Sequence, residues 1–416
     1  MDKISVFVIL VISIISCRGY GDDSIPKIEI EKNIDNFKPF TLSDLDCELE
    51  YVILESVPEA MLMDIRFIDI SNNHIIVSDI DKCLLFDRNG KFLLRIGSKG
   101  RGPSENQFFN QIKILNDKIF LPDAMTSRIN IFDINGKFLN NVKSPGYFYP
   151  LEGNSWMPIT DSTYLVHIPN IIGNEENRVL LIDNNGEILQ KYVNTTFYTN
   201  GKDKAIFLMH ATFYKYNDNI YFKQLLNDTI WKLNDGYLNP TYKIHLGKFE
   251  ISFEYYTLSW QLFREKIADG ITIENIFETR EYIFFIMNFW RNYPFTFYKD
   301  SPHSPSGISH YPIIGLFNKV DDNVFLVAPS NVDHQIEPTG IKNDIDGGIN
   351  FMPRYAVNDT LIVSWFEAFE LKMYVASEAF KNSTPKYTEK KNQLKQLAAS
   401  LDENDNPVLM LVKLKD

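Results

Sequence analysis

FDRNGKFL at Phe86–Leu93 returns as FDINGKFL at Phe132–Leu139, as IDNNGEIL at Ile182–Leu189 and, one residue short before its glycine, as LNDGYLNP at Leu233–Pro240. The glycines fall at 90, 136, 186 and 236, spacings of 46, 50 and 50. A fixed period of this size marks a repeat architecture. Each copy reads as the tip of a β-hairpin. Apolar runs flank a polar turn, Asn and Asp tolerate a left-handed backbone, and Gly adopts it without steric cost. Two more strands precede each tip. They are Ile65–Ile70 and His74–Ser78 in the first unit, Gln111–Leu115 and Lys118–Leu121 in the second, and Ala211–Tyr216 and Asn219–Lys223 in the fourth.

The unit is therefore four antiparallel strands in about fifty residues, the size of one blade of a β-propeller. A lone four-stranded sheet leaves both faces bare, whereas neighbours packed face to face around an axis cover them. A tandem sandwich would not hold one turn motif at one spacing, and solenoid repeats are shorter. Four units fill about 57–247, and two more are expected in 248–416 with insertions. The fifth draws on Ile273–Phe277, Tyr282–Asn288 and the Phe295–Phe317 region. The sixth draws on Ile349–Tyr355, Thr360–Phe366 and Val408–Lys413, and Leu49–Glu55 from the N-terminal side supplies its fourth strand. That closure removes the open edge of the ring. Thr384–Leu401 reads as an inserted amphipathic helix. The predicted fold is all-β: a six-bladed β-propeller of four-stranded antiparallel blades with a short inserted helix near the C-terminus.

The N-terminus carries a different signal. In MDKISVFVILVISIIS (1–16), Lys3 precedes an apolar run from Ile4 to Ile15. Twelve residues of helix rise only about 18 Å, short of a ~30 Å hydrocarbon core. The length is that of a secretory signal peptide. The string Ile14-Ile15-Ser16-Cys17 resembles the lipobox of bacterial lipoproteins, which implies a diacylglyceryl group on the Cys17 thiol. Several acyl chains make a durable membrane anchor. The polar, Gly/Pro/Asp-rich stretch that follows is expected to be a flexible tether. The expected domains are a signal peptide over 1–16, a tether over 17–44 and a propeller over 45–416.

FDRNGKFLLRIGSKGRGPSENQF (86–108) resembles a signature of six-bladed propeller lipoproteins of Bacteroidetes, related to NHL-repeat propellers. Ser104 stands where that pattern has its last Gly. Further echoes are ILESVPEAM (53–61), LLNDTIWKLNDGYLNPTYKIHLGK (225–248), DIDGGINFMP (344–353) and ENDNPVLMLVKLK (403–415). The resemblance implies the fold and a lipid-anchored place in the cell envelope, at the outer membrane. It brings no catalytic residues with it. Asp23-Ser24-Ile25, in the tether, also fits the Asp-Ser/Thr-apolar pattern of Bacteroidetes O-glycosylation.

The 416 residues carry a net charge of −12, which argues against nucleic-acid binding. The three cysteines cannot build a disulfide framework. The seven histidines form no zinc-type pair, and there is no GxSxG, phosphate loop or dinucleotide fingerprint. No cofactor is identified from the sequence. Lactonase-like six-bladed relatives hold calcium in the axial channel through Glu, Asn and Asp, so a channel calcium stays open, without ligands to name. The loop SKGRGPSEN (98–106) reads as a glycine-rich connector, with Arg101 as a face residue that would meet a ligand. Two aromatic clusters stand out around Tyr255, Tyr256 and Trp260 and around Trp290. They serve either as blade packing or as flat platforms for sugar rings and peptide side chains.

The reading is a lipid-anchored envelope propeller that binds a glycan, a peptide or an envelope protein. The alternative is a propeller hydrolase or lyase with a metal in its channel, which rests on fold analogy alone.

Overall fold

The structure, a computed structural model, describes residues 25–145, 155–170, 173–198, 211–234, 236–252, 255, 258–289, 312–328 and 340–415. Six antiparallel sheets follow one another around a ring. In chain order their innermost strands are Phe67–Ile70, Lys113–Leu115, Trp156–Thr160, Ala211–Tyr216, Ile271–Glu278 and Tyr355–Ala356. We number the blades 1 to 6 in that order. The signal-peptide segment 1–16 and Cys17 lie outside the described residues.

The core is divided rather than central. Six hydrophobic clusters fill the six interfaces between neighbouring blades, one cluster per interface. Strand alternation explains the division. In blade 1, Ile75 and Val77 point toward blade 6, while Ile76 points toward blade 2. Both faces of every blade are thus buried, and the middle strands are buried at four successive positions, as in Cys83–Phe86 and Ile129–Phe132.

The repeated turn has two functions. In blade 1 the Asp87 carboxylate accepts from the Asn89 and Lys91 amides at 2.8 and 2.9 Å. Asp133 repeats this with Asn135 and Lys137, and Asp183 with Asn185 and Glu187. Glycine then takes the left-handed position, φ +84° at Gly90 and +78° at Gly136. The second function is contact with the preceding blade. A Cβ on Gly90 would lie 2.0 Å from the Ile53 carbonyl of blade 6, and one on Gly136 would lie 2.6 Å from Leu94 of blade 1. The glycine is kept bare by a turn and by a neighbour at once.

Closure is as expected and extends further. Cys47–Ile53 pairs antiparallel with Val408–Leu414 and forms the outer strand of blade 6. Upstream, Lys27–Glu29 adds a fifth strand, in parallel, to the outer edge of blade 4, and Phe37–Lys38 does the same on blade 5. Ile28, Ile30 and Leu42 are fully buried. From residue 25 onward, then, the expected tether is a strap laced across the rims of blades 4, 5 and 6. The alternation in KIEIE buries its isoleucines against Ile230 and Ile244 of blade 4 and against blade 5.

Two details in the last blades also differ. Blade 5 takes its outer strand from Asn323–Val327. The insertion in blade 6 holds three helices, Ala368–Ala376, Glu378–Asn382 and Thr388–Ser400, where the sequence suggested one. No described helix is long and apolar enough to cross a membrane.

Candidate binding face

Alternation of strand direction sorts the connections by end. Turns between first and second strands, and between third and fourth, fall at one end of the ring and span two to four residues. The other end takes the links between second and third strands and between blades. Among the described residues it carries the long segments 97–112 and 258–270 and the helical insertion 367–407. The two ends thus differ in kind. One is a row of tight turns and the other is a collection of loops, where binding residues concentrate in such scaffolds.

Arg101 lies on that loop face. Its loop is folded around Glu105, whose carboxylate accepts from the Gly102 amide at 2.7 Å. A Cβ at Gly100 would lie 2.0 Å from that carboxylate, which accounts for the glycines. Asn106 is buried and anchors the loop to the Leu121 and Pro122 carbonyls at 3.2 Å. The segment is a built connector, and Arg101 is left exposed at its tip.

Tyr255 packs, half-buried, against a small cluster of Ile251, Phe263 and Ile267. Trp260 opens the helix Trp260–Lys266, whose N-cap is Ser259. Tyr256 and Trp290 lie outside the described residues.

Beneath this cluster is Lys223, which the sequence analysis did not single out. It is 3% exposed and donates to the Gln224 and Leu225 carbonyls at 2.9 and 3.0 Å. Burial lowers its pKa to about 8, against the opposing pull of Glu274 and Asp228. It lines a small cavity between blades 4 and 5, walled by Ile244, Ile251, Ile271 and Ile273 with Glu250 beside them. The only clue in the sequence is a lysine interrupting the apolar strand NIYFKQ.

A second buried cation sits one interface away. The Arg178 guanidinium lies 4.4 Å from the centre of the Trp231 ring. Its Nη2 donates to Asn194 at 3.3 Å and to the Thr195 and Thr196 hydroxyls, and its Nε has no partner among the described residues. Burial pulls its pKa down to about 10. Neutral oxygens hold this charge, a costly arrangement for a group removed from water.

The axis offers different chemistry, toward the turn end. Tyr355 of blade 6 donates to Asp69 of blade 1 at 2.9 Å and accepts from Lys113 of blade 2 at 2.8 Å. The second Asp69 oxygen takes the Ile114 amide at 2.9 Å. Burial pushes the Tyr355 phenol well above its ordinary range, helped by Asp69, and pulls the Lys113 ammonium down. These groups tie three inner strands across the closure. No group of three or more His, Cys, Asp or Glu side chains is placed to hold a metal ion among the described residues. Cys47 and Cys83 are free thiols, and burial pushes Cys47 up to about 11.

The model of a family described as a domain of unknown function, DUF4934, matches residues 25–413. Its first matched residue is where the strap begins. No protein of curated function matches the sequence. Among solved structures, a Bacteroides fragilis protein described as exported is similar at TM-score 0.65 and 16% identity, covering 94% of this chain and 100% of its own. That likeness shows the fold. A member of the DUF4221 family from Bacteroides vulgatus has TM-score 0.45 and 12% identity, covering 89% of this chain and 98% of its own. BamB of Moraxella catarrhalis has TM-score 0.37 and 10% identity, covering 67% of each chain. These two are too loose to carry an argument.

Proposed function

The chain belongs to the DUF4934 family, and from that premise we propose that it is an exported, lipid-anchored propeller binding an envelope glycan, peptide or protein through its loop face. The carrying observation is the difference between the two ends. The long described connections gather on one of them, over two buried cations, Arg178 and Lys223. A rigid ring under long loops suits recognition, because the scaffold is already ordered before the ligand arrives. The B. fragilis relative described as exported supports an extracytoplasmic place, and the Cys17 lipobox supports the anchor.

The test is a glycan and peptide array probed with the mature protein, followed by Arg101→Ala and Tyr255→Ala. Binding weakened tenfold or more by either change supports the reading. Binding unmoved by both but lost on changing the turn end would refute it. For the anchor, Cys17→Ser should move the protein from the membrane pellet to the soluble fraction.

A further inference from the structure

We propose that the rim formed by the outer strands of blades 3 and 4 rests on the phospholipid surface, so that the ring stands edge-on to its membrane. This rests on the reading of Cys17 as the lipid-bearing residue.

Reach limits where the anchor can lie. Between Cys17 and Ile25, where the strap begins, the chain takes eight steps. Fully extended, these span at most about 28 Å. The strap then joins the ring at one place. Lys27 pairs with Lys243 on the outer edge of blade 4, and the Pro26 carbonyl accepts from the Lys243 amide. A lipid on Cys17 therefore holds the blade 4 rim close to the bilayer.

The surface that lies there is apolar. The outer strand of blade 3, Ile188–Val193, exposes three large apolar side chains: Ile188 at 44%, Leu189 at 53% and Val193 at 67%. Phe197 follows at 59%. Tyr237, which opens the fourth strand of blade 4 beyond the three residues that the strap covers, is 72% exposed. The two strands adjoin, because Gly236 packs on the Gln190 side chain. The outer strands of blades 1 and 2 each expose one such residue, Leu93 and Leu139. Four large exposed apolar side chains within residues 188–197, with Tyr237 on the adjoining strand, mark this sector as a contact surface. Aliphatic and aromatic groups with exposed lysines, here Lys27 and Lys191, match the boundary between headgroups and acyl chains.

Geometry and chemistry thus choose the same sector independently. The arrangement also sets the loop face perpendicular to the membrane plane, open to ligands from the side.

The experiment uses the full chain, purified from a lipid-modifying host and reconstituted in phosphatidylethanolamine–phosphatidylglycerol vesicles with brominated acyl chains. A fluorophore is placed in turn at Val193→Cys, Phe197→Cys, Leu93→Cys and Met373→Cys, all exposed positions. Intact mass reads the acyl group on Cys17. Quenching at 193 and 197 at least twofold stronger than at 93 and 373, with slowed amide exchange over 188–193 in vesicles, is the expected result. Acylated protein with equal quenching at all four positions overturns the edge-on contact and leaves the anchor standing. Protein without acyl mass overturns both.

Discussion

Blades 1 to 3 and blades 4 to 6 reach the same ring by different means. In the first half each blade is fastened to its predecessor by its own turn, with Asp87, Asp133 and Asp183 shaping the loop and a bare glycine seated on the neighbour. In the second half that device fades. The corresponding turn in blade 5, after Asn318, has no glycine and uses Asp322 at φ +52°. There the strap takes over, joining blades 4, 5 and 6 along their outer edges. The first half is fastened by local chemistry and the second by chain that is distant in sequence. Pairing distant segments costs more loop entropy, and it covers edges that turns alone leave open.

The comparison can be broken most severely at the strap. Deleting residues 25–38 should cause the largest loss, since Ile28 and Ile30 are both fully buried. Truncating either one to Ala alone is expected to cost about 2–5 kcal/mol. Amide exchange should rise along Tyr237–His245 and Asn323–Val327 and stay unchanged along Phe138–Lys143. Equal loss of protection in both halves would mean that the ring unfolds as one unit and that the distinction has no energetic content.

The next effect is electrostatic and also belongs to the second half. Glu278 is 2% exposed and is met by Lys319 at 3.0 Å, whose ammonium also lies over the Tyr216 ring. Burial holds the Glu278 carboxyl above its ordinary pKa, against the opposing pull of Lys319. Lys319→Ala is expected to cost roughly 3–5 kcal/mol near neutral pH by leaving a buried charge unpaired. A raised carboxyl favours the fold when protonated, and that contribution is lost as pH rises through its folded value. The penalty of Lys319→Ala should therefore shrink on acidification. Denaturation at pH 5 and pH 8 decides it, and a larger loss at pH 5 would contradict the assignment.

The first half can be sharpened by comparing its own turns. Gly136→Ala forces a left-handed alanine, about 1–3 kcal/mol, against the yielding end of Leu94. Gly90→Ala meets the Ile53 carbonyl instead and should cost more than Gly136→Ala in the same thermal melt. The smallest change is Arg101→Ala, exposed at its loop tip, which should shift stability by less than about 0.5 kcal/mol while weakening ligand binding.

The same division explains what could be read from the sequence. Asp-x-Asn-Gly is a local signal, so blades 1 to 3 were legible, and the long apolar strand LEYVILE announced the closure. The strap was not legible, because strands as short as KIE and FK have no local signature and sit in a polar segment. Glu105 was recognisable as part of a glycine-rich connector. Arg178 was not recognisable as buried, and Lys223 only through its interruption of the apolar strand NIYFKQ, since the two carbonyls that cap it leave no mark in the sequence. Tyr355, Asp69 and Lys113 come from three different blades, and only closure of the ring assembles them.

The pairing of Cys47–Ile53 with Val408–Leu414 also fixes an order of events during synthesis. Ribosomes produce one partner hundreds of residues before the other, so until the last strand emerges the early segment lacks its strand partner, although blade 1 already offers it a packing surface. The ring therefore keeps one open seam until the final strand is in place, and blade 6 is the last sheet that can be completed.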